Sequence, residues 1–393
     1  MDEPEVVIVG AGPAGLVLAW LLQRAGVPYV LLERQSRAEI GTLPKAGIVE
    51  YRTAELLRAE GLPLVFDTEN RRVEFRTPTT RHLFDYADLT GDRPHYVFPQ
   101  HRIVAELAQA LVDEGAPLHF EQTVTHVDPD APSITAGGTT YRPRALVGAD
   151  GAGSVVARAL GDRVTVLDRP LAARWLVVSA VTAPLVGHTI YAIHPRGYAA
   201  HLRRGPRETR FYLEVPDDVR ARDLTHDEVR TDLADRLGEP GALDGVQISV
   251  DDLDLRTRVT TPMQAGGVFL LGDAAHLITP AGGKGMNLAV ADAVELAHGL
   301  VDAHRGDDAR LTAYSDTRLP VIMATQGFSD WFLRVLSAFS TDALAGTGAA
   351  GFVHGMREGW VRRLRDDPLL ARWFAHAYAG VDAGANAGVD ADA

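Results

Sequence analysis

The run Val6-Val7-Ile8-Val9-Gly10-Ala11-Gly12-Pro13-Ala14-Gly15 decides how the rest of the chain is read. A short β-branched stretch enters a G-x-G-x-x-G turn, and Leu16 to Arg24 follows with apolar residues at helical spacing up to Gly26. Val27 to Glu33 then reads as a second strand, so the segment predicts a βαβ unit. The spacing gives Gly10, Gly12 and Gly15 separate tasks: a tight turn, close approach of a pyrophosphate to the helix N-terminus, and close packing of helix on strand. Glu33, about 18 residues after Gly15 at the end of the second strand, is placed to accept a hydrogen bond from a ribose hydroxyl. The unit predicts a dinucleotide site.

Working outward, Leu146-Val147-Gly148 and Val268-Phe269-Leu270-Leu271 read as buried strands that each run into an aspartate beside a glycine, Asp150-Gly151 and Gly272-Asp273. Both suit the first sheet. Between them, Trp175–Val181, Thr189–Ile193, Tyr198–Leu202 and Thr209–Val215 alternate with turn signals such as His194-Pro195-Arg196-Gly197, the pattern of an antiparallel sheet. The expected fold class is α/β (mixed α+β). A dinucleotide-binding domain is expected over 1–165, completed by 266–305, with an antiparallel-sheet domain over 166–265 and a helical region over 306–393. Helices are predicted at Leu288–Ala303, Arg310–Leu336 and Gly359–Tyr378, and a frayed tail from Gly380.

The 393 residues are 46% hydrophobic and 23% charged, which excludes a disordered or small disulfide-stapled chain. No stretch approaches the ~20 apolar residues of a membrane span, and the acidic start Met1-Asp2-Glu3 is unlike a secretory signal, so a cytoplasmic protein is expected. A net charge of −13 argues against nucleic acid as a partner. With no cysteine, thiolate chemistry, iron–sulfur clusters and cysteine-bound zinc are excluded, so redox work must come from an organic cofactor or a His/carboxylate site. His276 has no companion at metal-ligand spacing, so no metal is expected. Asp92, Asp150 and Asp292 form no acid–base pair by spacing.

Two further loops carry chemistry. Gly272-Asp273 and Pro280-Ala281-Gly282-Gly283-Lys284-Gly285-Met286-Asn287 end a strand and open a helix, making a second edge of backbone N–H groups; Asp150-Gly151-Ala152-Gly153-Ser154 with Arg158 makes a third. One chain with all three in this order resembles the class A flavoprotein aromatic monooxygenases. Lys45-Ala46-Gly47-Ile48-Val49-Glu50, Phe98-Pro99-Gln100, His194-Pro195-Arg196-Gly197 and Gly282 to Leu288 extend the resemblance over nearly the whole chain, and specifically to their p-hydroxybenzoate hydroxylase branch.

The resemblance implies FAD, held by Gly10, Gly12, Ala14, Gly15, Glu33, Lys45, Gln100, Asp150, Asp273, Lys284, Gly285, Met286 and Asn287. It implies NADPH or NADH as co-substrate near Arg34, Gln35 and Arg256. It also implies an aromatic acid whose carboxylate meets Arg204 and Tyr212, and whose phenol meets Tyr191, Tyr378 and the Pro280 carbonyl. Arg210 would lie near the flavin. The ring would be hydroxylated ortho to its activating group, with oxygen activated at flavin C4a, and a homodimer is implied. Three positions depart from the branch. Leu202 stands where a serine would donate to the carboxylate, Asn70 or its neighbours where a histidine would pass the phenol proton onward, and Lys45 where an arginine would touch FAD. The first motivates the alternative of an amino-substituted benzoate; a non-catalytic FAD-binding module is the alternative from another class.

Overall fold

The computed structural model describes residues 4–41, 47–338 and 349–380, the side chains of 172, 173, 349 and 350 apart. Lys45 and the tail beyond Gly380 lie outside the described residues.

The opening run folds as read. Val6–Val9 is wholly buried and pairs in parallel with Tyr29–Leu32 on one side and Ala145–Gly148 on the other. Gly10 has φ 108°, and a Cβ there would lie 2.4 Å from the Ala149 carbonyl oxygen; a Cβ on Gly15 would lie 2.0 Å from the Gly10 carbonyl oxygen. Both glycines are therefore required by close backbone approach, and they seat the helix Pro13–Ala25 against the sheet. Val268–Leu270 extends the sheet in parallel beyond Ala145–Gly148, as expected, with the short antiparallel strand Gln264–Ala265 at its edge.

The second sheet has eight strands. In order they are His276–Leu277, Ile248–Thr261, Thr165–Ala180, Thr209–Val215, Gly197–Arg203, Thr189–His194, Arg72–Arg76 and Arg81–Asp85. Six of its strands lie between Thr165 and Leu277, while Arg72–Arg76 and Arg81–Asp85 cross to it from the first 165 residues and pair beside Thr189–His194. Nothing in their alternation distinguishes which sheet they join; that choice is made by the long-range pairing of Val73 with Thr189.

Gly285–His304 matches the helix expected over Leu288–Ala303, while the single helix expected over Arg310–Leu336 is two, Ala309–Thr312 and Tyr314–Leu336, the latter continuing despite Pro320 inside it. The single helix expected over Gly359–Tyr378 is two, Ala349–Asp366 and Pro368–Ala379. The break comes from Asp367, whose carboxylate accepts from the Leu369 and Leu370 N–H groups at 3.0 and 3.2 Å, with Pro368 in the first helical position.

One buried ionic cluster ties the first sheet to the helices. Asp292 is fully buried; its Oδ2 accepts from His276 Nε2 at 2.6 Å and the Gly272 N–H at 3.2 Å, and its Oδ1 from Arg318 Nε at 2.7 Å. Burial alone would raise this carboxyl, but the His276 ring and the Arg318 guanidinium overcome it and hold the carboxyl down at about 2. His276 is thus a core histidine engaged through Nε2, its buried Nδ1 having no hydrogen-bond partner, and no group of three metal-ligating side chains occurs among the described residues. Asp292→Ala leaves a buried cation uncompensated and is expected to lower unfolding free energy by about 3–5 kcal/mol. With its folded value below the unfolded carboxylate value of about 4, the Asp292 contribution is present in full above that pH and lost as pH falls toward about 2. Urea unfolding at pH 7 and below pH 4 checks both: the wild-type to Asp292→Ala gap narrows on acidification.

Candidate functional site

A cavity of about 1080 Å³ runs from the Gly12-Pro13-Ala14 turn, past Gln100, Gly151–Gly153 and Asp273, along Gly282–Met286, to Tyr191, Arg204 and Tyr378. That exceeds the ~300–1,000 Å³ that drug-sized ligands fill, leaving room for a dinucleotide and a ring together. At its first end the helix Pro13–Ala25 has no side-chain cap and no acidic residue in its first turn, and a Cβ on Gly12 would meet nothing within 4 Å. Its free N–H groups and open approach suit a pyrophosphate. Glu33 Oε2 accepts from the Ala11 N–H at 2.7 Å and Oε1 from the Gln35 N–H at 2.8 Å, which fixes the carboxylate at the turn with lone pairs left for a ribose. Likewise the helix Gly285–His304 carries no side-chain cap, so its N-terminus faces the cavity with unsatisfied donors beside Gly285 and Met286. These residues fit an FAD molecule laid along the cleft.

Three of the expected cofactor residues do other work. Asp150 is not in the cavity wall; its Oδ2 accepts from the Val155 N–H at 2.7 Å, at the start of the helix Val155–Leu160. Asn287 also turns away, accepting from the Glu50 N–H at 3.0 Å and donating to the Gly283 and Ile48 carbonyls at 2.9 and 3.3 Å. Lys284 borders the cavity, but its ammonium donates to Glu50 Oε1 at 2.6 Å and to the carbonyls of Ala377 and Tyr378 at 2.7 and 2.8 Å. An ammonium has three protons, so none is left for a cofactor. Lys284 and Asn287 shape the flavin edge by bracing its loop, a role the glycine pattern could not reveal.

The far end of the cavity is built by strand alternation. Tyr191, Ala200, Tyr212 and Val177 stand in register across four adjacent strands, and Leu202 pairs with Arg210 one step on. Side chains two apart share a face, so Trp175, Val177, Thr189, Tyr191, Tyr198, Leu202, Arg204, Arg210 and Tyr212 all meet the same space. Arg204 is 5% exposed and its guanidinium packs over Gly47, where a Cβ would lie 2.2 Å from Nη1. Burial, then the neighbouring Arg210, pushes Arg204 down to about 10, which leaves it cationic at neutral pH. Across the sheet, Tyr191 Oη and Tyr378 Oη lie 2.9 Å apart, both fully buried, and burial raises both phenols well above their ordinary value. Pro280 lies in the same wall.

Of the residues expected near a nicotinamide, Arg256 borders the cavity, held by two 2.5 Å bonds to Asp168; Arg34 and Gln35 lie outside the wall. Asn70 is buried and donates to Thr189 Oγ1 at 2.9 Å. Two residues escaped the sequence reading. Trp175 is a wall residue that was visible there only as the start of a strand. His95 pairs across the ladder with Asn70 and donates through Nε2 to the Tyr378 carbonyl at 2.8 Å. No spacing signal marked it, because its neighbours come from strands distant in sequence.

The chain matches the family model described as FAD binding domain over residues 3–329. It is 29% identical to a p-hydroxybenzoate hydroxylase of Acinetobacter baylyi over 355 residues, 87% of this chain and 88% of that one. It is 30% identical to the 12-dehydrotetracycline 5-monooxygenase/anhydrotetracycline 6-monooxygenase of Streptomyces rimosus over 340 residues, 81% of this chain and 67% of the other. Among solved structures it resembles an anhydrotetracycline hydroxylase from Streptomyces rimosus, with a TM-score of 0.76 and 26% identity over 96% of this chain and 76% of that one. With two uncapped helix N-termini facing the cleft and these relatives, the chain belongs to the FAD-binding-domain family and is an FAD-dependent aromatic monooxygenase of the class A type, with the NAD(P)H co-substrate typical of that family.

Proposed function

We propose that the substrate is an aromatic acid of the hydroxybenzoate type, hydroxylated ortho to its phenol. The observation that carries this reading is the buried guanidinium of Arg204, which shares one sheet face with Tyr212 and with the Tyr191–Tyr378 hydroxyl pair. A guanidinium can hold a carboxylate through two charge-assisted hydrogen bonds. With the acid end fixed there, the ring lies along the face toward Tyr191. FAD, when bound, supplies the reduced oxygen chemistry at the cost of a nicotinamide.

The protein's own residues do the rest. Arg204 and Tyr212 set the ring's direction, and the aromatic wall of Trp175, Tyr198 and Tyr191 excludes water from it. Because both phenols titrate far above neutrality, Tyr191 and Tyr378 stay as hydroxyls. Each hydroxyl can accept one hydrogen bond while donating another, so Tyr191 can accept a hydrogen bond from the substrate phenol and polarise its O–H, with the proton staying on the substrate oxygen.

A second reading follows from Leu202, an apolar side chain in the wall two residues before Arg204. It withholds a donor from a carboxylate and suits a differently substituted ring, such as an aminohydroxybenzoate or aminobenzoate. We further propose a cytoplasmic homodimer; no helix among the described residues is long and apolar enough to cross a membrane, and Leu369 and Phe352 are 79% and 63% exposed on the last two helices.

The reading is tested by nicotinamide oxidation and oxygen uptake of the purified flavoprotein with hydroxy-, amino- and aminohydroxybenzoates, each product being weighed by mass spectrometry. A hydroxybenzoate that stimulates both and gains one oxygen is the expected outcome; stimulation by none overturns it. Arg204→Ala is expected to weaken binding of that acid by about 1.5–3 kcal/mol, roughly 10- to 100-fold, and not to affect binding of the corresponding uncharged phenol, as measured by flavin absorbance titration. Leu202→Ser is expected to improve turnover of plain 4-hydroxybenzoate; fast, coupled turnover of that compound by the parent protein removes the amino-substituted reading.

A further inference from the structure

Tyr378 sits at the penultimate position of the helix Pro368–Ala379, among the last four carbonyls that an α-helix leaves without an internal partner. Its carbonyl oxygen receives two donors, Lys284 Nζ at 2.8 Å and His95 Nε2 at 2.8 Å. The chain then turns sharply at Gly380, with φ 75°, where a Cβ would lie 1.9 Å from Glu50 Oε2. The helix end is therefore clamped from two sides.

The His95 side of that clamp is specific. A carbonyl can only accept, so Nε2 carries the proton and Nδ1 is a bare lone pair. Nδ1 is buried and has no hydrogen-bond partner among the described residues, so the imidazole is kept neutral at the cost of an unsatisfied acceptor. Burial, then Lys284, pushes the ring down to about 3, in keeping with a neutral donor throughout the physiological range. The ring lies between two tyrosines, with its centroid 4.8 Å from that of Tyr378 and 5.0 Å from that of Tyr86. The Tyr86 hydroxyl in turn accepts from the His95 N–H at 3.0 Å and donates to the Asn70 carbonyl, which holds the His95 backbone as well. A buried histidine with one orphaned nitrogen is a poor choice for stability alone, since an apolar side chain would fill the site without that penalty.

We infer that His95 is a positioning residue for Tyr378: by donating to the Tyr378 carbonyl and packing on its ring, it sets the hydroxyl at hydrogen-bond distance from Tyr191. The inference rests on the reading of the Tyr191–Tyr378 pair as the groups that polarise the substrate phenol. His95 does not touch the Tyr378 hydroxyl in this arrangement and is assigned no proton of the reaction.

The test is a double-mutant cycle on the FAD-loaded enzyme with the benzoate that best stimulates it. His95→Leu, which fills the space without a donor, is expected to lower kcat about tenfold, and to leave KM and the FAD dissociation constant within about twofold. His95→Gln, which can donate to the same carbonyl, restores most of the loss. In a Tyr378→Phe background His95→Leu causes no further loss, since it acts through the hydroxyl already removed. His95→Phe serves as the donor-free variant if the leucine protein does not fold. Unchanged kcat in His95→Leu, equal loss in His95→Gln, parallel loss of FAD, or a full additive loss in Tyr378→Phe overturns the inference and leaves the role of Tyr378 standing. Full activity of Tyr378→Phe overturns both.

Discussion

The site depends on a single buried ammonium. Lys284 stands in the loop that leads into the second cofactor-facing helix, and its three protons go to Glu50 and to the last carbonyls of the C-terminal helix. These partners are 93 to 234 residues away in the chain. Burying such a charge costs several kcal/mol, which is recovered only if every donor finds its acceptor in good geometry. The arrangement is therefore nearly all-or-none: the flavin edge, the Glu50 strand end and the Tyr378 helix end are placed together or not at all. Asn287 reinforces the same junction by bonding the Glu50 N–H and the Gly283 carbonyl. Cofactor cleft and substrate wall are thus coupled through a contact that touches neither ligand with a charged atom.

From that junction the two ends of the cavity follow different physics. The dinucleotide end is made of backbone: helix N-termini, glycines that permit close approach, and one carboxylate, Glu33, held by the Ala11 and Gln35 N–H groups. Backbone donors favour phosphate and carbonyl oxygen whatever the rest of the molecule, which fits a cofactor shared by a family that acts on many aromatics. The aromatic end is made of side chains on one pleated face, where any residue can be exchanged without disturbing its neighbours' backbone pairing. Substrate choice can change there without changing the fold, and Leu202 and Arg204 both stand on that face.

How far the sequence reveals this differs between the two ends for the same reason. Gly10, Gly12, Gly15 and Glu33 are close in sequence and obey local rules, so turn, helix and carboxylate were all legible. The face carrying Tyr191, Leu202, Arg204 and Tyr212 was legible as alternation, though its residues acquire roles only by resemblance. The exchange of Arg72–Arg76 into the second sheet, the split of the last helix at Asp367, and the bracing roles of Lys284, Asn287 and Asp150 were not. Lys284 was a cofactor ligand by resemblance alone; only the fold brings Glu50 and Tyr378 to it. His95 went unread because a lone histidine in a short strand carries no pattern, and its meaning lies in the Tyr378 carbonyl across the molecule.

On the proposed function, Arg204 and the Tyr191–Tyr378 pair grip opposite ends of one aromatic acid. The most direct measurement is a crystal structure of the FAD-bound protein with 4-hydroxybenzoate. The carboxylate is expected on the Arg204 guanidinium and the phenol oxygen within hydrogen-bond distance of Tyr191 Oη. A ring bound in the reverse sense, or a carboxylate held away from Arg204, would contradict it.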